Sequence, residues 1–292
     1  MSNSCQNRTV IITGAGGGLG RSYALALAAE GANVVVNDIN GEAANAVVSE
    51  ISAAGGKAIT DTNDITNYEE AGQIVKSAID SFGELHAVIN NAGICRDRMF
   101  ISLSESDWDA VMNVHLKGHF CIASHAGQYW RNQAKAGNPI NARIINTSSG
   151  AGLQGSVGQS NYAAAKGGIA SLTLVQAAEL ARYGVTSNAL APAARTGMTE
   201  DVFADMMAAQ EGKFDYYNPD NLGPFLAYLV SEHSNDVTGQ IFEVEGGKIA
   251  IGDGWKTGAT KNKGERWTVE ELINEVPALI ESAIPAQKVY GT

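Results

Sequence analysis

The chain predicts a single α/β domain on a doubly wound parallel sheet, and three observations carry that reading. Seven short β-branched runs alternate with longer Ala-rich stretches of helical period. The runs are almost continuously apolar, as strands covered on both faces are. A glycine-rich turn, TGAGGGLGRS at residues 13–22, follows the first run directly.

The runs in order are Thr9–Thr13, Val34–Asp38, Ala58–Asp61, Ala87–Asn90, Arg143–Thr147, Val185–Leu190 and Ile241–Val244. Two capping boxes place helix starts: Thr66 with Glu69 before a helix to about Phe82, and Thr268 with Glu271 before a helix over 268–282. No internal repeat or low-complexity linker divides the chain. Residues 1–247 therefore form one domain, and residues 248–292 an extension packing on that domain or on a partner subunit.

Composition narrows the function classes. At 45% hydrophobic and 17% charged, 292 residues can bury a sizeable core. A net charge of −11 argues against a nucleic-acid surface, which needs clustered Lys and Arg. Cys5, Cys95 and Cys121 lie far apart without C-x-x-C spacing, which suits a reducing compartment and offers no metal cassette. The opening MSNSCQNR is polar, no run reaches membrane-spanning length, and the closing YGT is not a peroxisomal address. The expectation is a soluble cytoplasmic protein with no nucleic-acid, membrane or metal partner.

A strand passing through a glycine turn into a helix aims free N–H groups and the positive helix end at one point, which suits a pyrophosphate. The common G-x-G-x-x-G spacing fails, because Leu19 follows Gly14 and Gly16 where the third glycine should stand. The spacing that fits is Gly14-x-x-x-Gly18-x-Gly20, which makes Gly14, Gly16, Gly18, Leu19 and Gly20 the candidate phosphate turn. Asp38 ends the second strand 18 residues after Gly20, placed to accept hydrogen bonds from the adenosine ribose. Its charge would repel a 2′-phosphate, and no Arg or Lys at Gly17, Ile39 or Asn40 offsets it. The cofactor expected is NAD rather than NADP.

SNYAAAKGG sets Tyr162 and Lys166 four apart on one helix face. The strand RIINTSS ends at Ser149, 13 residues earlier, so its hydroxyl borders the same crevice. With TGAGGGLG, with NNAG at 90–93 and with an asparagine at 113, this ordered set resembles the short-chain dehydrogenase/reductase family over about residues 8–247. The resemblance implies a Rossmann-type sheet of about seven strands, a nicotinamide cofactor at the strand ends, and a homodimer or homotetramer joined through helices near 105–132 and 160–182.

Hydride transfer from an alcohol needs a base for the hydroxyl proton, and reduction needs the same group as acid. Tyrosine at a pKa of about 10 is a poor base, and a neighbouring ammonium with the positive nicotinamide would favour its phenolate at a cost of ~4 kcal/mol. Tyr162 is the acid/base candidate, Lys166 its tuner, and Ser149 the donor to the substrate oxygen. Ser148 points to the opposite face of an extended chain, so only one of the two serines can serve. The remaining roles are implied by the resemblance alone. Lys166 would hold the nicotinamide ribose, Asn113 a water in the proton relay, and Asp64 and Ile65 would flank adenine. Asn90, Ala92 and Gly93 would form the cofactor turn after the fourth strand. Pro192-Ala193 stands where the family has Pro-Gly, and Thr196 would clamp the nicotinamide amide.

NNAGICRDRMF, SESDWDAVMNVHLKGHF and VGQSNYAAAKGG resemble more narrowly the (3R)-hydroxyacyl-CoA dehydrogenase domains of peroxisomal multifunctional enzymes and their bacterial 17β-hydroxysteroid dehydrogenase-like relatives. That resemblance implies oxidation of a 3-hydroxyacyl-CoA or a hydroxysteroid. Arg96 and Arg98 would face the anionic part of a CoA ester or simply solvent. A 3-oxoacyl carrier-protein reductase shares the catalytic groups but suits NADP and a basic docking face, and a silent NAD-binding regulator would lack the acid/base set. Phe203, Met206, Met207, Phe214, Tyr216 and Tyr217 suggest an apolar lid. His115 and His119 have no evident third ligand and read as core or interface residues, and Cys95 as a small apolar group.

Overall fold

The computed structural model describes residues 3–197 and 207–292. Every run read as a strand is one: β1 (Thr9–Thr13), β2 (Asn33–Asn37), β3 (Lys57–Asp61), β4 (Ala87–Asn90), β5 (Ala142–Thr147), β6 (Val185–Ala193) and β7 (Ile241–Glu245). These seven are parallel in the order β3-β2-β1-β4-β5-β6-β7. An eighth strand, β8 (Lys248–Ile251), turns back through Gly246-Gly247 and pairs antiparallel to β7. The strand count from sequence is thus one short. β8 is a half-exposed edge strand, so KIAI carries no buried apolar run to announce it.

β1 is buried at all five positions, as a central parallel strand requires. One face is covered by α1 (Gly18–Ala29) and α2 (Gly41–Ala53), where Tyr23, Leu27, Val47 and Ile51 join Val10, Ile12, Val34 and Val36. The other carries α3 (Tyr68–Phe82) and α5 (Gly118–Lys135), the latter preceded by α4 (Glu105–Met112), and is centred on Trp130, whose indole N–H donates to Leu85 O at 2.6 Å. The α3 cap lies one residue beyond the expected box. Asn67 Oδ1 accepts from the amides of Glu69 and Glu70, a geometry Asn adopts readily at an N-cap. β6 runs three residues past its expected end, through Pro192. Pairing with β5 stops at Leu190, so the proline has a ladder partner only in β7 and its missing N–H is tolerated.

The chain order reverses between β1 and β4, so the loops at their carboxyl ends part and leave a crevice there. After the short α6 (Gly150–Gln154), α7 (Ser160–Leu180) is fixed beneath that crevice by a buried polar ladder. Asn90 Nδ2 donates to Asn146 Oδ1 at 2.9 Å, and Asn146 Nδ2 donates to Thr173 Oγ1 at 2.9 Å and Gln176 Oε1 at 2.8 Å. Ser187 Oγ donates to the same Gln176 oxygen at 3.0 Å. Truncating any member leaves buried partners unsatisfied, at about 1–3 kcal/mol each.

A last core helix, α8 (Gly223–Val230), packs on α1, and α9 (Val269–Glu281) lies in the extension. The Thr268–Glu271 capping box is formed at the start of α9, which buries none of its residues. The tail then returns to the body: Val157 N–H donates to Tyr290 O at 2.9 Å and Tyr290 N–H to Gly155 O at 3.2 Å. Among the described residues no helix is long and apolar enough to cross a membrane.

Candidate active site

The turn after β1 is shaped by what a side chain would hit. A Cβ at Gly14, whose φ is +62°, would lie 2.7 Å from Ala92 Cα, and one at Gly20 would lie 2.2 Å from Gly14 O. Gly17 has nothing within 4 Å of its Cβ position and caps α1 without a side chain, so the helix N-terminus meets the crevice as bare backbone. An anionic diphosphate fits such a cradle. Leu19 turns into the core, which explains why the third glycine of the common motif is displaced to Gly20. Gly20→Ala is expected to lower Tm by on the order of 5 °C in a thermal melt, since overpacking against backbone costs about 1–3 kcal/mol.

Asp38 stands one residue past β2, its Oδ2 accepting from Gly16 N at 3.0 Å and its Oδ1 from Asn40 N at 2.9 Å. These bonds hold the carboxylate at the lip of the glycine turn. Thr196 faces the turn from across the crevice, with Cβ and Cγ2 3.7 Å from the Cβ position of Gly18. Ile65 is buried, its Cδ1 2.7 Å from the Cβ position of Gly118, while Asp64 Oδ1 accepts from Thr66 N at 2.8 Å.

The NNAG segment is pinned to β1 by residues that sequence reasoning missed. Thr13 Oγ1 accepts from Asn91 N at 3.0 Å and Ala92 N at 3.1 Å, and Asn91 Nδ2 donates to Thr13 O at 3.0 Å and Gly14 O at 3.2 Å. Asn90, expected at the cofactor, spends its side chain on the buried ladder to Asn146, which leaves its main chain for that role.

Ser149, Tyr162 and Lys166 do converge. Lys166 is 2% exposed, its Nζ donates to Thr147 O at 2.6 Å, and that nitrogen lies 5.5 Å from the Tyr162 ring centroid. Ser149 caps α6, its Oγ accepting from Ala151 N at 3.2 Å, and its hydroxyl acts on the Tyr162 phenol, favouring the ionised form. Ser148 turns inward and donates to Lys166 O at 2.9 Å, so Ser149 is the serine facing the crevice. Burial pushes the phenol up to about 12; the nearby Cys95 and Asp97 add to the rise and Ser149 opposes it. Burial likewise pulls Lys166 down to about 7. The sequence assigned the low phenol pKa to the ammonium and the positive nicotinamide together; the lysine alone does not deliver it. Desolvation dominates, so Tyr162 rests as the neutral phenol near neutral pH, the range in which Lys166 exchanges its proton.

Asn113 opens a π-helical turn, Asn113–Lys117, with its side chain exposed. The side chain of that turn which meets Tyr162 is His115, edge-on at 5.2 Å between centroids and 88° between planes. The widened turn carries residue 115 inward and residue 113 outward. His115 Nε2 lies 2.8 Å from Ile94 O, and Gly93 must be glycine because a Cβ would come within 2.3 Å of His115 Cε1. Burial drives this imidazole down to about 3, so it is neutral. The N-V-H-L run on an amphipathic helix held the signal, but the period of an α-helix mislocates its inward face.

His119 is fully buried as well, and the described residues hold no group of three His, Cys, Asp or Glu able to bind a metal. Cys95 is half-buried beside Tyr162 and Lys166, with its thiol pushed up by burial. Of the expected lid, Met207 is buried and Phe214 exposed, Tyr216 and Tyr217 stack edge-on at 5.1 Å, and Phe203 and Met206 lie outside the described residues.

A bare-backbone phosphate cradle, a carboxylate at the second strand end and a Ser-Tyr-Lys cluster on one crevice define an oxidoreductase working with a nicotinamide cofactor. The family model described as short chain dehydrogenase matches residues 8–207. A short chain dehydrogenase crystal structure from Mycobacterium avium is 51% identical with a TM-score of 0.92, covering 99% of this chain and 100% of that one. The hydroxyacyl-CoA dehydrogenase ChsB1 of Mycobacterium tuberculosis is 45% identical over 84% of this chain and 79% of its own. The peroxisomal hydratase-dehydrogenase-epimerase of Neurospora crassa is 42% identical over 83% of this chain but 26% of its own length. The chain belongs to the short-chain dehydrogenase family, whose members bind a nicotinamide cofactor.

Proposed function

We propose that this enzyme oxidises the 3-hydroxyl of a hydroxyacyl-CoA thioester to the ketone with NAD. The observation carrying this reading is the Ser149–Tyr162–Lys166 cluster on a crevice edged by Asp38, in a chain 45% identical to a hydroxyacyl-CoA dehydrogenase. Ser149 holds the substrate oxygen and Tyr162 takes its proton. Lys166 holds the nicotinamide ribose and shares its charge with the phenol. When bound, oxidised nicotinamide would supply the hydride acceptor and a positive charge favouring the Tyr162 phenolate. His115 keeps the phenol ring in place against the Gly93-Ile94 turn.

NAD is favoured because Asp38 Oδ1 and Oδ2 are already fixed toward the ribose side of the crevice. Asp38→Ala is expected to weaken NAD about tenfold or more, the scale of a charge-assisted hydrogen bond, and to strengthen NADP. Calorimetric titration of both cofactors checks this; tighter NADP than NAD in the wild type contradicts it. Exposed Phe120, Leu174 and Val175 on α5 and α7 support a homo-oligomer, and three free cysteines support a cytoplasmic enzyme.

The deciding experiment is a panel of 3-hydroxyacyl-CoA thioesters and 17β-hydroxysteroids, followed by NADH absorbance. Thioester turnover supports the reading. Turnover confined to steroids, or confined to NADPH-driven reduction of carrier-protein thioesters, overturns it.

A further inference from the structure

We propose that Arg96, Arg98 and Lys288 form a rim that binds the phosphates of a coenzyme A nucleotide, an inference that rests on the thioester reading above. The first two are locked in register with the turn that precedes Tyr162. Asn161 Nδ2 donates to Arg96 O at 3.1 Å, and Arg98 N–H donates to Gly158 O at 2.9 Å. The tail brings the third: Lys288 precedes Val289, whose methyls lie 3.4 Å from the Cβ position of Gly155. Two chain segments, 96–98 and the tail at 288–290, thus bring three cationic residues to the 155–161 turn.

All three side chains are exposed, and none is among the ion pairs of the described residues. Arg96 Nη1 and Arg98 Nη1 each donate only to the preceding carbonyl, at 2.8 Å, which leaves the rest of each fork of donors unused. The carboxylate between them, Asp97, is turned to Gln159, whose Nε2 donates to Asp97 Oδ2 at 2.8 Å. The setting gives this cluster weight. A chain with 31 acidic residues against 20 Lys and Arg repels a polyphosphate over most of its surface. Guanidiniums without an ion-pair partner, on a segment bonded to the turn that precedes Tyr162, mark one place where an anionic thioester is attracted. An uncharged sterol gains nothing there.

The test compares a 3-hydroxyacyl-CoA with the same acyl group on pantetheine, which lacks the nucleotide phosphates, in wild type and in R96Q/R98Q. Calorimetry of free coenzyme A is run alongside with NAD saturating, so that the cofactor crevice is filled. The ratio of kcat/KM for the CoA ester to that for the pantetheine ester is expected to fall at least tenfold in the variant, and coenzyme A binding to weaken in parallel. In the wild type that ratio should shrink as salt rises. R182Q, a charge removed from the far end of α7, should leave the ratio in place. An unchanged ratio with intact coenzyme A binding overturns the rim while leaving the thioester reading standing. Coenzyme A binding that depends on Arg96 and Arg98, without turnover of either ester, supports the rim and overturns that reading instead.

Discussion

Tyr162→Phe is expected to lower kcat by about 10³-fold, within the range assigned to a positioned acid/base group, with NAD affinity changed less than threefold. Phenylalanine preserves the edge-on contact with His115 and the ring face toward Lys166, so the substitution removes one hydroxyl and little else. The loss should appear in kcat rather than KM, because the proton moves only as the hydride leaves. Steady-state kinetics with a thioester substrate, and calorimetry for NAD, make the check.

Lys166→Met should abolish turnover while raising Tm by about 2–6 °C, the scale of a gain of 1–2 kcal/mol in a chain this size. The fold places a 2%-exposed amine where burial pulls its pKa from 10.5 to about 7. Below the folded value the protein must hold a desolvated ammonium, at a cost on the order of 4 kcal/mol. Because the folded pKa is depressed, the unfolded chain binds the extra proton between about pH 7 and 10.5. Stability therefore rises with pH through that window. Methionine removes the burden and fills the space, although Thr147 O loses its donor, which offsets part of the gain. The stabilisation should be largest at pH 7 and below and fade by pH 10. A drop in Tm at pH 7 would show that the lysine is held as a structural ion rather than as a strained functional one.

The sheet was legible in the sequence because parallel strands buried on both faces must be apolar throughout. Thr9–Thr13 and Ala87–Asn90 match residue for residue. β8 escaped because an edge strand obeys no such constraint. In the site, glycine and carboxylate positions were readable from spacing, since a strand, a turn and a helix leave few alternatives for Gly20 and Asp38. Two things were not. His115 was not recognised as the neighbour of Tyr162, because the π-turn breaks the periodicity on which inward-facing positions are judged. Asn90 and Asn146 looked like turn and strand residues, yet their amides form the buried ladder that fixes α7, a pairing 56 residues apart that no local pattern reveals. The sign of the Tyr162 displacement was also beyond spacing, because desolvation depends on what covers the ring.

The account turns on a phenol that burial holds up to about 12 in the protein alone and that the oxidised cofactor makes ionisable. Tyrosinate absorbance, titrated in wild type minus Tyr162→Phe with and without saturating NAD, tests this directly. One tyrosine should ionise at least two pH units lower with NAD bound, and that signal should vanish in the variant. A Tyr162 titration indifferent to NAD would contradict the account.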